Sequence, residues 1–304
     1  MSKRDSVLRV ALLGNAAFST LCAAVSTAAA ETLAPHLGAP PLWLYALAAG
    51  LALFAVMLVW QATRTVMNPL DALLTSVADL GWVLGSAVLL WQWPGSFTDK
   101  GVMLVEGVAA FVLVCAVAQL IGLRRLIAET DPALETRCRI EVGVEVEASA
   151  EQMWAVISDM PGIHRYAPGL AASALREGSE PGLGVVRQCK STKGERWAER
   201  CIGWEPERRL DLEFQTREEG FPFPMDPMVG GWRIDALGKG GSRVTVWWSF
   251  TTKPAWAELL IVPPMARSLQ KSFPSVIETM AREAMGDGRD AAAPDYRQVA
   301  ASQA

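Results

Sequence analysis

Two kinds of apolar spacing divide the chain. Up to Leu123 apolar positions run almost unbroken in four stretches: Val7 to about Ala30, Pro41 to Ala62, Leu70 to Trp93, and Gly101 to Leu123. A bilayer core about 30 Å thick takes about 20 helical residues to cross. Each stretch therefore predicts a membrane span, and the short loops between them predict a sequential antiparallel four-helix bundle. From Cys138 the spacing changes to strict alternation. Ile140, Val142, Val144 and Val146 alternate with Arg139, Glu141, Gly143, Glu145 and Glu147, which predicts a strand with one dry face and one wet face.

That strand leads into a helix signal. Ser149 is placed to cap it and Gln152, three residues on, to complete a capping box. Met153, Trp154, Val156 and Ile157 form its apolar side, and Asp159-Met160-Pro161-Gly162 stops it. After Pro168 short strand runs follow: Val185 to Cys189, Trp197 to Gly203, Leu210 to Phe214, Trp232 to Leu237, and Val244 to Phe250. Turn signals separate them, at Pro181-Gly182, Lys193-Gly194, Glu205-Pro206 and Gly238-Lys239-Gly240-Gly241. Leu210, Leu212 and Phe214 share one face, as do Trp232, Ile234 and Ala236, and Val244, Val246, Trp248 and Phe250, the pattern of an antiparallel meander.

A last helix is expected from about Pro263-Pro264. Its apolar stripe comprises Met265, Leu269, Phe273, Val276, Ile277 and Met280, with a kink expected at Pro274. The segments read from the pattern are a four-helix transmembrane domain at 1–125, a linker at 126–137, a soluble α+β domain at 138–286 and a disordered tail at 287–304. Glu129-Thr130-Asp131-Pro132 in the linker should end the fourth helix, since Pro disfavours helix before it. A short linker would hold the soluble domain close beneath the membrane.

Charge sharpens the picture. The 304 residues carry a net charge of −4, and no basic stripe for phosphates is visible, which argues against nucleic acid as a partner. The five cysteines form no CxxC pair and read as free thiols. Lys3, Arg4, Arg9, Arg64, Arg124 and Arg125 fall on alternate ends of the spans, whereas the other two loops offer only His36 and Lys100. By the positive-inside rule both termini face the cytoplasm. Trp43, Tyr45, Trp60, Trp82, Trp91 and Trp93 lie largely near span ends, at headgroup level. The first stretch has some features of a secretory signal, but its length and the three spans behind it mark it as a retained helix. The expected location is a multi-pass position in a bacterial inner membrane, with the lipid bilayer as one partner.

Four polar residues interrupt the spans: Asn15, Asp79, Glu106 and Gln119. A carboxyl in hydrocarbon is costly and should face the bundle interior and find a partner. One reading is a proton, quinone or lipid-headgroup site between helices. The other is hydrogen bonding that merely holds the bundle together.

The soluble half resembles the START-like superfamily, also called SRPBCC or the polyketide cyclase/dehydrase and lipid transport group. The residues that carry the likeness are the opening strand into Ala148-Ser149-Ala150-Glu151-Gln152-Met153-Trp154, then Ser158-Asp159 with Tyr166-Ala167-Pro168, and Gly182-Leu183-Gly184. To these are added Trp197-Ala198-Glu199-Arg200 with Trp204-Glu205-Pro206, and Arg209-Leu210. The resemblance implies a helix-grip fold, a curved antiparallel sheet around a long C-terminal helix, with a cavity for an apolar molecule. Candidate lining residues are Trp154, Tyr166, Trp197, Glu199, Leu212, Phe214, Trp232, Ile234, Val246, Trp248, Leu269 and Phe273. The implied partner is a lipid, isoprenoid or polyketide-like molecule, and the implied function is its binding, transport or sensing at the membrane.

Catalytic signals are weak. His164 and Tyr166 are candidates for proton exchange, and Glu199 for a buried acid or polar anchor if its face is concave. No Ser-His-Asp set, phosphate loop or metal-ligand spacing occurs, so no cofactor and no metal are expected. An enzyme of the cyclase/dehydrase or hydrolase kind and a scaffold with a filled cavity are the alternative functions. Phe221-Pro222-Phe223-Pro224-Met225-Asp226-Pro227-Met228 and Trp256 to Val262 read either as gates or membrane-dipping edges, or as caps on the core.

Overall fold

A computed structural model describes residues 5–286 apart from 168, 178 and 239. The expectations for Lys3, Arg4, Pro168, Lys239 and the 287–304 tail lie outside the described residues. The chain forms two units, Met1–Ile127 and Ala128–Ala304.

In the first unit, α1 (Ser6–Ala28), α3 (Pro41–Thr63), α4 (Pro69–Gln92) and α5 (Asp99–Ile127) are each long and apolar enough to cross a membrane. Pro41 and Pro69 begin their helices at positions whose N–H has no helical acceptor. Asn68 caps α4 by accepting from Leu70 N at 3.0 Å. Between the first two spans lies α2 (Ala30–Leu37), which hydropathy did not single out. It buries Ala30 and Ala34 against Leu44, with Leu33 and Leu37 beside them. Gly38 ends it in the left-handed region (φ 59°), where an added Cβ would lie 2.0 Å from the Ser96 carbonyl oxygen.

The spans pack α1 against α3 and α5, and α4 against α5. At Gly122 the backbones of α5 and α1 approach so closely that a Cβ would sit 2.7 Å from Leu8 Cα. Arg9 is buried, pairs with Asp5 at 2.9 Å and donates to the Ala62 carbonyl at the C-terminal end of α3, where a cation complements the helix dipole. Gln61 of α3 donates to Thr75 of α4 at 3.0 Å.

The second unit is an eight-stranded antiparallel sheet with two helices. The elements are β1 (Ala128–Asp131), β2 (Thr136–Val146), α6 (Ala150–Ile157), β3 (Leu170–Leu175), β4 (Val186–Ser191), β5 (Arg196–Glu205), β6 (Arg209–Phe214), β7 (Met225–Ala236), β8 (Ser242–Thr252) and α7 (Glu258–Ala284). Their order across the sheet is β1-β2-β8-β7-β6-β5-β4-β3, a meander whose last strand returns to β2. One row of paired residues, Val142, Val246, Trp232, Leu210 and Trp204, runs across five strands. Residues opposite one another share a face, and these join the core with Val276, Ile277 and Met280 of α7. The capping box is present, with Gln152 N donating to Ser149 Oγ and Ser149 N to Gln152 Oε1.

Four boundaries differ from the sequence reading. Part of the 126–137 linker is strand, because Asp131 Oδ1 accepts from Ala133 N and Leu134 N and turns β1 back onto β2. The β3 run, Leu-Ala-Ala-Ser-Ala-Leu, lacks the apolar contrast that marks a strand. β7 begins at Met225 rather than Trp232, with a register shift between Met225 and Met228. α7 starts at Glu258, with Pro263, Pro264 and Pro274 inside it. Burial of Ala257, Glu258 and Val262 holds the early turn, although the prolines withhold their N–H groups from the carbonyls of Leu259 and Leu260.

Candidate functional site

The sheet register decides which side of each strand faces α7. Cys201 pairs with Leu212 and Glu199 with Phe214, so Glu199 lies on the inner face with the core residues, and Arg196 and Arg200 lie on the other. Glu199 also pairs with Arg187 of β4, and Trp197 with Cys189. The inner face of β4 and β5 thus carries a buried ion pair that strand alternation alone did not reveal.

Every acceptor position of Glu199 is engaged. Its Oε2 accepts from Arg187 Nε at 3.0 Å and from Arg187 Nη2. Its Oε1 accepts from Trp197 Nε1 at 2.7 Å and from the Cys189 thiol at 3.8 Å. Arg187 Nη1 also reaches the Met160 carbonyl at 3.4 Å, which Ser173 Oγ contacts at 2.9 Å. Burial works against the Arg187 charge, but the adjoining Glu199 carboxylate outweighs it and holds the guanidinium pKa above its ordinary value. The Cys189 thiol is pushed up to about 12, first by burial and then by the Glu199 charge, so it stays protonated.

A carboxylate with four donors is a strong orienter. It fixes the Trp197 ring, which meets Phe223 edge to face at 5.4 Å, and Phe223 meets Phe221 in the same way. Phe221 and Phe223 are half-buried. The end of that loop is pinned by Asp226, which accepts from Lys253 and from Thr216 at 2.6 Å; the Lys253 contact first, then Thr216, lowers its pKa.

The remaining lining candidates divide into two sets. Leu212, Trp232, Ile234 and Val246 are buried in the core, and Tyr166 is buried with them. Trp154, Trp248, Leu269 and Phe273 pack on that core but are only partly buried. Phe273 meets Trp248 edge to face at 4.8 Å, and Trp154 meets Trp204 at 5.0 Å. Gly230 makes the floor between Trp248 and Phe214, since a Cβ there would lie 3.0 Å from Trp248 Cδ1 and 3.3 Å from Phe214 Cε2. The inner face is therefore aromatic, partly open, and bordered on one side by a satisfied ion pair.

His164 and Tyr166 have separate partners. His164 is exposed, with Nδ1 2.7 Å from the Pro161 carbonyl oxygen. The Tyr166 hydroxyl accepts from Arg165 at 3.5 Å, and burial followed by the neighbouring Glu283 pushes its pKa up to about 12. Trp256 and Leu260 are exposed at the start of α7.

Among the intramembrane polar residues, Asn15, Asp79 and Gln119 come together. Asn15 Nδ2 and Gln119 Nε2 donate to Asp79 Oδ2 at 2.8 and 3.0 Å. Glu106 does not join them: it is exposed, two turns into α5, too near the helix start to share their depth.

An antiparallel sheet packed on one long helix with an aromatic inner face defines a helix-grip domain. Residues 137–284 match the family described as "Polyketide cyclase / dehydrase and lipid transport", and this part of the chain is a domain of that family. Among solved structures, a point mutant of Thalictrum flavum norcoclaurine synthase is 18% identical, covering 49% of this chain and 94% of its own, with a TM-score of 0.39. The Zhui aromatase/cyclase of Streptomyces sp. R1128 is 20% identical over 50% and 96%, with a TM-score of 0.38. The protein XoxI of Bacillus cereus is 17% identical over 47% and 94%, with a TM-score of 0.37. No curated protein matches the chain.

Proposed function

We propose that the protein is a membrane-anchored binder of a hydrophobic small molecule, held by the helix-grip domain against the aromatic inner face of its sheet. The observation that carries this reading is the incomplete burial of inward-facing Trp197, Trp248, Leu269 and Phe273. Burial of apolar surface is the main favourable term in folding, about 25 cal/mol per Å², and a domain optimised for packing alone would cover those rings. An apolar ligand covers them instead, with Trp197 held in place by Glu199 as the one polar-anchored wall. A lipid, isoprenoid or polyketide-like body fits that chemistry. Tyr166 and Glu199 contribute to the walls, the first buried in the core and the second fixed by its donors.

The four long apolar helices support anchorage in a membrane. Arg9, Arg64, Arg124 and Arg125 lie at one end of the helices and support a cytoplasmic position for that end, in a bacterial inner membrane.

The test is native mass spectrometry of residues 128–286, expressed in cells and purified without detergent, starting at β1 so that the sheet is intact. The expected result is a near-stoichiometric apolar molecule, retained by the wild type and lost from Trp248→Ala and Phe273→Ala. A fragment that is empty, and whose rings at 197, 248 and 273 are protected from oxidative labelling, would overturn the reading.

A further inference from the structure

The helical unit has a cavity of its own, about 560 Å³ in volume, lined by residues of α1 to α5. Toward one end α3 and α4 meet through Gln61 and Thr75; farther along, Leu47, Leu51 and Phe54 of α3 and Trp82 of α4 line the cavity. α2 contributes Leu33 and Leu37, so the short helix that hydropathy did not single out supplies part of the wall. The volume falls within the roughly 300–1,000 Å³ of small-molecule sites. The lining is apolar except where Asn15, Ser19, Ser26, Asp79 and Ser86 enter it.

The hydrogen bonds of Asp79 give the cavity a direction. Asn15 and Gln119 both donate to Oδ2. Their own carbonyl oxygens face hydroxyls, Asn15 Oδ1 that of Ser19 at 3.3 Å and Gln119 Oε1 that of Ser76 at 3.3 Å, which it shares with the Ala72 carbonyl at 3.0 Å. The two amides present their N–H groups to Asp79. Oδ1 is the carboxyl atom with no hydrogen bond among the described residues, and Asp79 lines the cavity. Two N–H donors make Oδ2 an acceptor only, so any proton the carboxyl carries sits on Oδ1.

We infer that this cavity binds a lipid-soluble alcohol or phenol, its hydroxyl on Asp79 Oδ1 and its apolar body between α1, α3, α4 and α5. A hydroxyl both donates and accepts, so it satisfies Oδ1 whether the carboxyl is ionised or protonated. A carbonyl head would serve only the protonated form and an ammonium only the ionised one. A bundle held together by hydrogen bonds would need no cavity beside them, and a plain acyl chain would leave Oδ1 without a partner in hydrocarbon. This site is independent of the helix-grip ligand.

The test uses the full chain in phospholipid nanodiscs and a diazirine analogue of farnesol, with cross-linked peptides mapped by mass spectrometry. Labelling is expected on cavity residues such as Val25, Leu51 and Val108, saturable and competed by farnesol. The hydrocarbon farnesene, which can neither donate to Oδ1 nor accept from it, should compete about tenfold more weakly. Leu51→Trp, which fills the cavity without touching the Asp79 network, should abolish the labelling, and Asp79→Leu should erase the preference for alcohol over hydrocarbon. Labelling confined to lipid-facing residues such as Leu53 and Leu84, equal competition by alcohol and hydrocarbon, or undiminished labelling in Leu51→Trp would overturn the inference. A bound phospholipid acyl chain that farnesol does not displace would overturn it as well.

Discussion

Arg187 and Glu199 form a buried ion pair on the inner face of β4 and β5. Alternation placed Glu199 with Trp197 and Cys201, but only the β4–β5 register brings Arg187 opposite it, and register depends on turn geometry and bulges that no local pattern encodes. The pair is nearly dry, so removing one partner strands a charge. Glu199→Leu is expected to cost about 4 kcal/mol in urea unfolding of residues 128–286, while Arg187→Met with Glu199→Leu recovers most of that loss. If the single and double variants were equally unstable, the pair would not act as a unit.

Asp211 differs: its Oδ2 pairs with Arg209 at 3.1 Å, but its Oδ1 is buried with no hydrogen-bond partner among the described residues, and burial foremost raises its pKa. Folding therefore disfavours its charge, and the stability it allows below pH 4 is lost as pH rises through its raised pKa. Asp211→Asn should stabilise the fragment by about 1 kcal/mol at pH 7. The gain should shrink in the same unfolding assay as pH falls to 4.

Elements were legible where one periodicity ran long enough. The spans, the capped α6 and the strands around Leu210 to Phe214 and Val244 to Phe250 follow directly from spacing and caps. β1 and β3 were not legible, since four residues turned by an Asp side chain and six mostly small residues carry no contrast. α2 was hidden for a related reason: its apolar residues continue the hydropathy of α1, and only the backbone break at Ala29 separates them.

Helix packing adds a constraint that hydropathy cannot express. Gly122 and Gly107 both lie in α5, yet a Cβ at Gly122 would meet the α1 backbone at 2.7 Å, whereas one at Gly107 meets nothing within 4 Å. Gly122→Leu should force α1 and α5 apart and lower the thermal midpoint in detergent, at a cost of about 1–3 kcal/mol. Gly107→Leu should leave the midpoint unchanged. Equal effects would show that the glycines act through helix propensity and not through packing.

For the molecule as a whole, orientation in the bilayer is the expectation with the widest consequence, and it rests on charge asymmetry. The turn between α3 and α4 holds Arg64, paired with Asp71 at 3.2 Å and lying over the Trp60 ring at 4.7 Å. The end of α5 holds Arg124 and Arg125. The turns after α2 and α4 are joined instead by neutral bonds, with Thr98 N on the His36 carbonyl at 3.0 Å and His36 Nδ1 near Thr98 Oγ1 at 3.0 Å. Basic residues resist translocation, so alkaline phosphatase, which is active only outside the cytoplasm, should be active when fused after Gly38 or Ser96. It should be inactive when fused after Thr65 or Leu126. The reverse pattern would place the helix-grip domain, and whatever apolar ligand it holds, on the outer side of the membrane. Activity at both Gly38 and Thr65 would mean that α3 does not span, leaving the cavity between α3 and α4 open to water instead of lipid.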